Sequence, residues 1–342
     1  MKKVVCFGEV MLRLNPQNYD RLIQSNTLAF HVGGGEANVA VTLANFGMDT
    51  AFVTKLPTHA IGQIAVNDLR ARGVDTTKIT RGGDRVGLYF CEKGASVRPS
   101  NVIYDRAGSA IALASPADFD WDAIFNDATW FHFTGITPAL GENLAKITLQ
   151  ACQIAKKKGL TVSCDWNYRK KLWTIEQASA VLGNLMQYVD VCFASEDDAD
   201  KLFGIRAPHA DPTSDAVDFD ACRSVAKQLA ERFGCKYVAL TLRRSVSASD
   251  NNWSAMLYDH TDGTSAFSRV YPLHIVDRVG GGDSFDGALI YALLNGYTDS
   301  DAVEFAVAAS ALKHTIEGDY NLVSVEEVEA LLRSGGSGRI QR

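Results

Sequence analysis

Short runs of consecutive apolar residues recur along the chain, separated by longer stretches in which apolar residues return every three or four positions. The runs are Val4–Phe7, Ala51–Thr54, Trp130–Thr134, Leu160–Asp165, Val189–Ala194 and Tyr237–Leu242. A continuous run, unlike an alternating one, predicts a strand buried on both faces. The intervening spacing predicts helices over Glu36–Phe46, with Ala37, Ala40, Val41 and Ala44 on one face, and over Ile61–Arg72 and Leu144–Lys158. Thr174-Ile-Glu-Gln177 has the form of a capping box, and Ser195-Glu-Asp-Asp198 reads as another helix start. Strands alternating with helices predict an α/β fold with a mostly parallel sheet covered on both faces. Ligands of such sheets sit at the C-terminal ends of the strands.

Two stretches break the rhythm, 12–31 and 85–109. Within the second, Val86–Phe90 and Val102–Tyr104 read as paired antiparallel strands. They predict a small β lid, discontinuous in sequence, beside a main domain formed by 1–11, 32–84 and 110–333. The Gly/Ser-rich end, 334–342, reads as a flexible tail.

The net charge of −6 argues against nonspecific nucleic-acid binding, which depends on Lys and Arg neutralising phosphates. Seven cysteines with no Cys-x-x-Cys pair fit buried thiols in a reducing compartment, and a zinc site is not suggested. The apolar run Val4–Phe7 is too short for a signal peptide, and there is no apolar run of membrane-spanning length. The expected location is the cytoplasm.

The chemistry concentrates in two glycine clusters. In Asp277-Arg-Val-Gly280-Gly281-Gly282-Asp283, three glycines precede a helical pattern. Unhindered N–H groups at a helix N-terminus form an anion site. A carboxylate placed beside that site can take the proton of an attacking alcohol. Taken alone, the same residues also read as a turn with Asp283 capping a helix. No Lys-Ser/Thr follows, so this is not the phosphate loop of the common nucleotide triphosphatases, and Phe285 breaks a dinucleotide-binding fingerprint. In Gly33-Gly34-Gly35-Glu36-Ala37-Asn38, glycines again precede a helix, and Asn38 offers both a donor and an acceptor to a sugar hydroxyl.

Together the two clusters, about 245 residues apart, resemble the two signatures of the PfkB (ribokinase-like) carbohydrate kinases. The resemblance extends over nearly the whole chain through Gly8-Glu9, Leu56-Pro, Ile61-Gly62 and Gly73-Val-Asp75. It implies a three-layer α/β/α sandwich with a small β lid. Within the family the chain is most similar to 2-keto-3-deoxygluconate kinases, through Gly8–Leu14, Tyr104-Asp-Arg106, Asp165-Trp-Asn-Tyr-Arg169 and Val276–Asp283. The resemblance implies Asp283 as general base and Gly280, Gly281 and Gly282 as the anion hole. It implies Glu9, Gly34, Asn38, Tyr89, Tyr104, Arg106, Arg169 and Asp319 around the sugar. An Arg is the side chain best shaped to hold a sugar-acid carboxylate.

For ATP the resemblance implies Thr241, Arg243, Gly280, Gly282 and His314. For Mg²⁺ it implies Glu196, which stands in Ser195-Glu196-Asp197-Asp198 where the family has Asn-x-x-Glu. It further implies a monovalent cation such as K⁺ near Asp277 and Val279, while the edge strands of an exposed lid sheet suggest a homodimer through the lid. Arg243-Arg244 replaces the glycine expected in the nucleotide loop. Rival readings are a fructokinase or other hexose kinase, a noncatalytic sugar sensor on the same fold, and a nicotinamide-dependent dehydrogenase. The last lacks its glycine fingerprint after the first strand.

Overall fold

The computed structural model describes residues 2–207 and 218–335. Its strands in chain order are β1 (Lys3–Phe7), β2 (Met11–Asn15), β3 (Ala29–Gly33), β4 (Asp49–Val53), β5 (Lys55–Leu56), β6 (Thr80–Arg81), β7 (Gly87–Glu92) and β8 (Asn101–Asp105). They continue as β9 (Trp130–Thr134), β10 (Thr161–Asp165), β11 (Val191–Ala194), β12 (Tyr237–Ser245), β13 (Asp250–Asp259), β14 (Thr264–Phe267) and β15 (Tyr271–His274). The helices are α1 (Gly35–Asn45), α2 (Ala60–Ala71), α3 (Trp121–Ile124), α4 (Glu142–Lys157) and α5 (Ile175–Met186). They are followed by α6 (Glu196–Phe203), α7 (Phe219–Phe233), α8 (Gly281–Leu294), α9 (Asp299–Lys313) and α10 (Val325–Ser334).

Six of the strands form the parallel part of the central sheet, in the order β12-β11-β10-β9-β1-β4. Each coincides with one of the apolar runs. The reason shows in β1, where every residue is buried because both faces are covered. Successive side chains of a strand point to opposite faces. Val4 and Cys6 join the core under α1, α2, α8, α9 and α10, whereas Val5 and Phe7 join the one under α3 to α7. The result is a three-layer α/β/α sandwich. Beyond β12 the direction reverses: β13 runs antiparallel to it, and β14 and β15 both pair with β13. The helix starts behave as their sequences predict. Thr174 and Gln177 complete a capping box, and the Ser195 hydroxyl accepts from the Asp198 N–H.

A second sheet, β3-β2-β7-β8, draws its strands from both irregular stretches. β7 and β8 are antiparallel, while β2 and β7 run parallel. Phe30, Ile103 and Tyr104 are exposed, whereas Arg13 and Tyr89 on this sheet are buried. Ser334, the first residue of the expected flexible tail, closes α10. Residues 336–342 of that tail lie outside the described residues. Among the described residues no helix is long and apolar enough to cross a membrane.

Candidate active site

The C-terminal ends of the parallel strands, the N-termini of α1 and α8 and the second sheet enclose a cavity of about 1120 Å³. Helix α8 begins at Gly281 with Gly280 as its N-cap, and no side chain caps its first turn. The first-turn N–H groups are thereby left to an incoming anion. Gly280 has φ +79°, a left-handed conformation that favours glycine. A methyl group there would also strike the Asp319 carbonyl oxygen, and one at Gly33 would strike the Asp319 carboxylate. Both glycine clusters thus close on the same residue.

Asp283 lies in the first turn of α8, half-buried on the cavity wall. Its Oδ2 accepts from Asn38 Nδ2 at 2.6 Å, and Asn38 Oδ1 accepts from the Gly34 N–H at 3.2 Å. The second bond fixes the Asn38 amide so that its NH₂ faces the carboxylate. Burial pushes Asp283 up to about 6, opposed by the Asn38 hydrogen bond and the Arg169 charge and reinforced by Asp319. At neutral pH the group is largely ionised yet basic enough to accept a proton.

Two further carboxyls stand beside it. One oxygen each from Asp165, Asp283 and Asp286 lie within 4.8 Å of one another. Asp286 is buried, and burial pushes its carboxyl well up, with the neighbouring Asp165 and Asp283 adding to the effect. Burial likewise raises Asp165, reinforced by Asp283. Such a pair shares a proton, because two adjacent buried carboxylates cannot both ionise.

On the other side of the glycine loop sits a buried ion triad. Arg13 of β2 donates through Nη1 to Asp319 Oδ1 at 3.0 Å and places Nη2 2.8 Å from Asp277 Oδ2. Tyr89 donates its hydroxyl to the other oxygen of Asp319. Against the effect of burial, Arg13 and Lys313 hold the Asp277 carboxyl below its usual range. Sequence reasoning passed over Arg13, which stands in Met-Leu-Arg-Leu where its neighbours alone carry the strand pattern. A charged residue between apolar ones in a short strand was the available signal.

Of the residues singled out from sequence, Gly34, Asn38, Tyr89, Tyr104, Arg106, Arg169, Glu196, Thr241, Arg243, Gly280, Gly281, Gly282, Asp283 and Asp319 all line the cavity. Glu9 and His314 do not. The Glu9 carboxylate lies behind the wall, where Arg106 donates to it through Nε at 2.7 Å and through Nη2, and Ser109 Oγ donates at 2.6 Å. Arg106 therefore reaches the cavity with its fork engaged by Glu9, and its guanidinium carbon lies 5.4 Å from the Tyr104 ring centre. His314 is buried beneath Gly281, with its ring 5.1 Å from that of Trp253, and burial lowers it to about 4. Arg169 is exposed to the cavity, and its charge acts on both Asp165 and Asp283. Glu196 stands exposed at the N-terminus of α6, apart from the carboxyl trio.

Glu36, at the start of α1, buries its carboxylate under the strand ends. Its Oε1 accepts from the Thr134 N–H, the Thr134 hydroxyl and the Thr137 hydroxyl at 3.0, 2.8 and 2.6 Å. This ties the Asn38-bearing helix to the end of β9.

The profile of the pfkB family carbohydrate kinases matches residues 1–325. The structure resembles the crystal structure of 2-dehydro-3-deoxygluconokinase from Thermotoga maritima, with 49% identity, a TM-score of 0.92 and 97% and 98% of the two chains covered. The sequence is 35% identical to the 2-dehydro-3-deoxygalactonokinase of Haloferax volcanii, over 98% of both chains. It is 29% identical to the 2-dehydro-3-deoxygluconokinase of Thermoproteus tenax, over 98% of this chain and 95% of that one.

Proposed function

Because the chain belongs to the pfkB family of carbohydrate kinases, we propose that it transfers the γ-phosphoryl group of ATP to the primary hydroxyl of a 2-keto-3-deoxy sugar acid. The reading takes 2-keto-3-deoxygluconate as substrate and its 6-phosphate as product. The observation that carries it is the single cavity in which Asp283, the uncapped glycine turn of α8 and Arg169 face one another.

Asp283 takes the hydroxyl proton as the oxygen attacks phosphorus, and Asn38 holds the carboxylate in place. The N–H groups of the Gly280–Gly282 turn receive the charge that builds on the phosphoryl oxygens. Arg169 binds the sugar-acid carboxylate, a planar anion suited to its fork. The second sheet, built from 12–31 and 85–109, acts as a lid: Tyr89 and Tyr104 cover the sugar and exclude water, the competing acceptor.

ATP lies toward Thr241 and Arg243, with His314 behind the glycine turn supporting it. Magnesium prefers oxygen donors and is usually held by one or two carboxylates plus substrate phosphates, a set that Glu196 fits as an exposed carboxylate on this part of the wall, beside Asp197 and Asp218. Bound there, the ion would supply positive charge to the phosphate oxygens. The exposed Phe30 and Ile103 on the outer strands of the lid sheet support a homodimer through the lid. Seven buried, unpaired cysteines support a cytoplasmic location.

The test is ADP release with ATP and Mg²⁺ on 2-keto-3-deoxygluconate, its galacto epimer, fructose and ribose, for wild type and Asp283→Ala. Turnover confined to the keto acids and lost in the variant supports the reading. Selective turnover of fructose keeps the kinase and removes the sugar-acid assignment. Sugar binding without turnover by wild type restores the sensor.

A further inference from the structure

The family resemblance leads one to expect a monovalent cation near Asp277 and Val279, and the residues there do not fit one. Lys313, the last residue of α9, is fully buried. Its Nζ donates to the backbone carbonyls of Gly318 at 2.7 Å, Asp277 at 3.2 Å and Ile316 at 3.4 Å. Three carbonyl acceptors call for three N–H donors, which the ammonium ion has and the neutral amine lacks. A cage of backbone carbonyls is also how proteins replace the water shell of K⁺.

The cage joins the two segments that the catalytic geometry depends on. Asp277 leads into the glycine turn, and 316–318 leads into Asp319. The Lys313 side chain passes directly beneath the turn: a methyl group at Gly280 would stand 3.4 Å from its Cε. Burial lowers the Lys313 amine below its usual range. Asp277, Asp319 and Asp283 face it and hold the charge, while Arg13 works against them.

We infer that Lys313 is a tethered cation, whose ammonium group takes the place of an inorganic monovalent ion beneath the anion hole. The loop is then organised without K⁺. A positioning role of this kind differs from ordinary core packing in one respect: a small free cation can substitute for the missing charge.

The experiment compares thermal midpoint and kinase activity in KCl, NaCl, NH₄Cl and choline chloride at equal ionic strength. For wild type, activity is expected to stay within about twofold across the four salts and the midpoint to be the same in each. Wild-type protein stabilised or activated severalfold by K⁺ over choline overturns the proposal, and this arm needs no variant. In Lys313→Ala the cage is emptied. The expected result is a fall of about tenfold or more in kcat, with the sugar KM little changed, and partial recovery of both kcat and thermal midpoint in NH₄Cl or KCl but not in choline. Lys313→Met fills the space without charge and is expected to stay low in every salt. Recovery of neither quantity in Lys313→Ala, or recovery of Lys313→Met to the same extent, also overturns the proposal. The activity half rests on the kinase reading, whereas the midpoints read the cation site even if none of the sugars is turned over.

Discussion

Asp283→Asn removes a charge from the cavity wall while keeping the shape of the side chain, and its effects on stability and activity should be opposite. Asp283 titrates at about 6 in the fold, against an ordinary value of 3.8. At about 1.4 kcal/mol per pKa unit, ionised Asp283 costs the folded state on the order of 3 kcal/mol. A carboxyl raised in this way destabilises the fold where it is ionised, so the cost is full above pH 7. It shrinks as the pH falls through 6 and is gone near 4, where the unfolded chain also binds the proton. The amide that replaces the carboxyl carries no charge at any pH, and its oxygen can still accept from Asn38.

Urea unfolding of both proteins at several pH values between 5 and 8 reads this difference. Asp283→Asn is expected to be more stable at pH 8 by a few kcal/mol at most, and the gain is expected to narrow steadily toward pH 5. Turnover is expected to fall by about 10²–10⁴, the usual cost of losing a general base. Equal stability at pH 8, or a gain that persists undiminished at pH 5, would refute the claim that burial of this carboxylate is what raises it. In wild type the same titration predicts that kcat/KM declines as the pH falls below about 6.

Arg13→Met removes the guanidinium that pairs with both Asp277 and Asp319 and is expected to cost about 3–5 kcal/mol in urea unfolding. Gly280→Ala meets both a left-handed backbone and the Asp319 carbonyl oxygen, so its thermal midpoint should drop along with activity. Gly282→Ala has open space around the added methyl and should keep the wild-type midpoint while lowering kcat, because the methyl covers part of the anion site. Arg169→Ala should raise KM for a keto-sugar acid by about one to two powers of ten, the worth of a charged hydrogen bond, with little change in the KM for ATP.

The parallel half of the sheet was legible because strands buried on both faces leave continuous apolar runs, as in Val4–Phe7 and Val191–Ala194. The glycine turns were legible because little but glycine suits a left-handed residue hard against a neighbouring carbonyl, as at Gly280. Pairings between distant residues were not. Glu9 and Arg106 each read as a sugar contact, and nothing local shows that they bind each other across 97 positions. Lys313 stands at the end of α9, a common place for a basic residue, and only the tertiary fold bends the 316–318 carbonyls around it. Asp286 sits three residues beyond Asp283 and looks like one more polar position on a helix until β10 brings Asp165 beside it. β13 was passed over although Ala255–Tyr258 is a buried apolar run as long as Val4–Phe7, whereas β14 and β15 are four residues each and only partly buried, and leave no such run.

The Arg13 triad has a consequence for how the chain comes off the ribosome. Arg13 emerges among the first residues, and its partner Asp319 follows 306 positions later. Asn38 likewise waits 245 residues for Asp283. Until Asp277 and Asp319 are made the charge of Arg13 has neither carboxylate to bury against, and the first sheet strands have no α8 or α9 to cover them. Contacts so far apart in sequence form late. A chain released before its final helices is therefore more than an inactive kinase: it carries an unburied guanidinium and an open apolar face, features that quality-control proteases and chaperones engage. The residues that make the catalyst also certify that synthesis was finished.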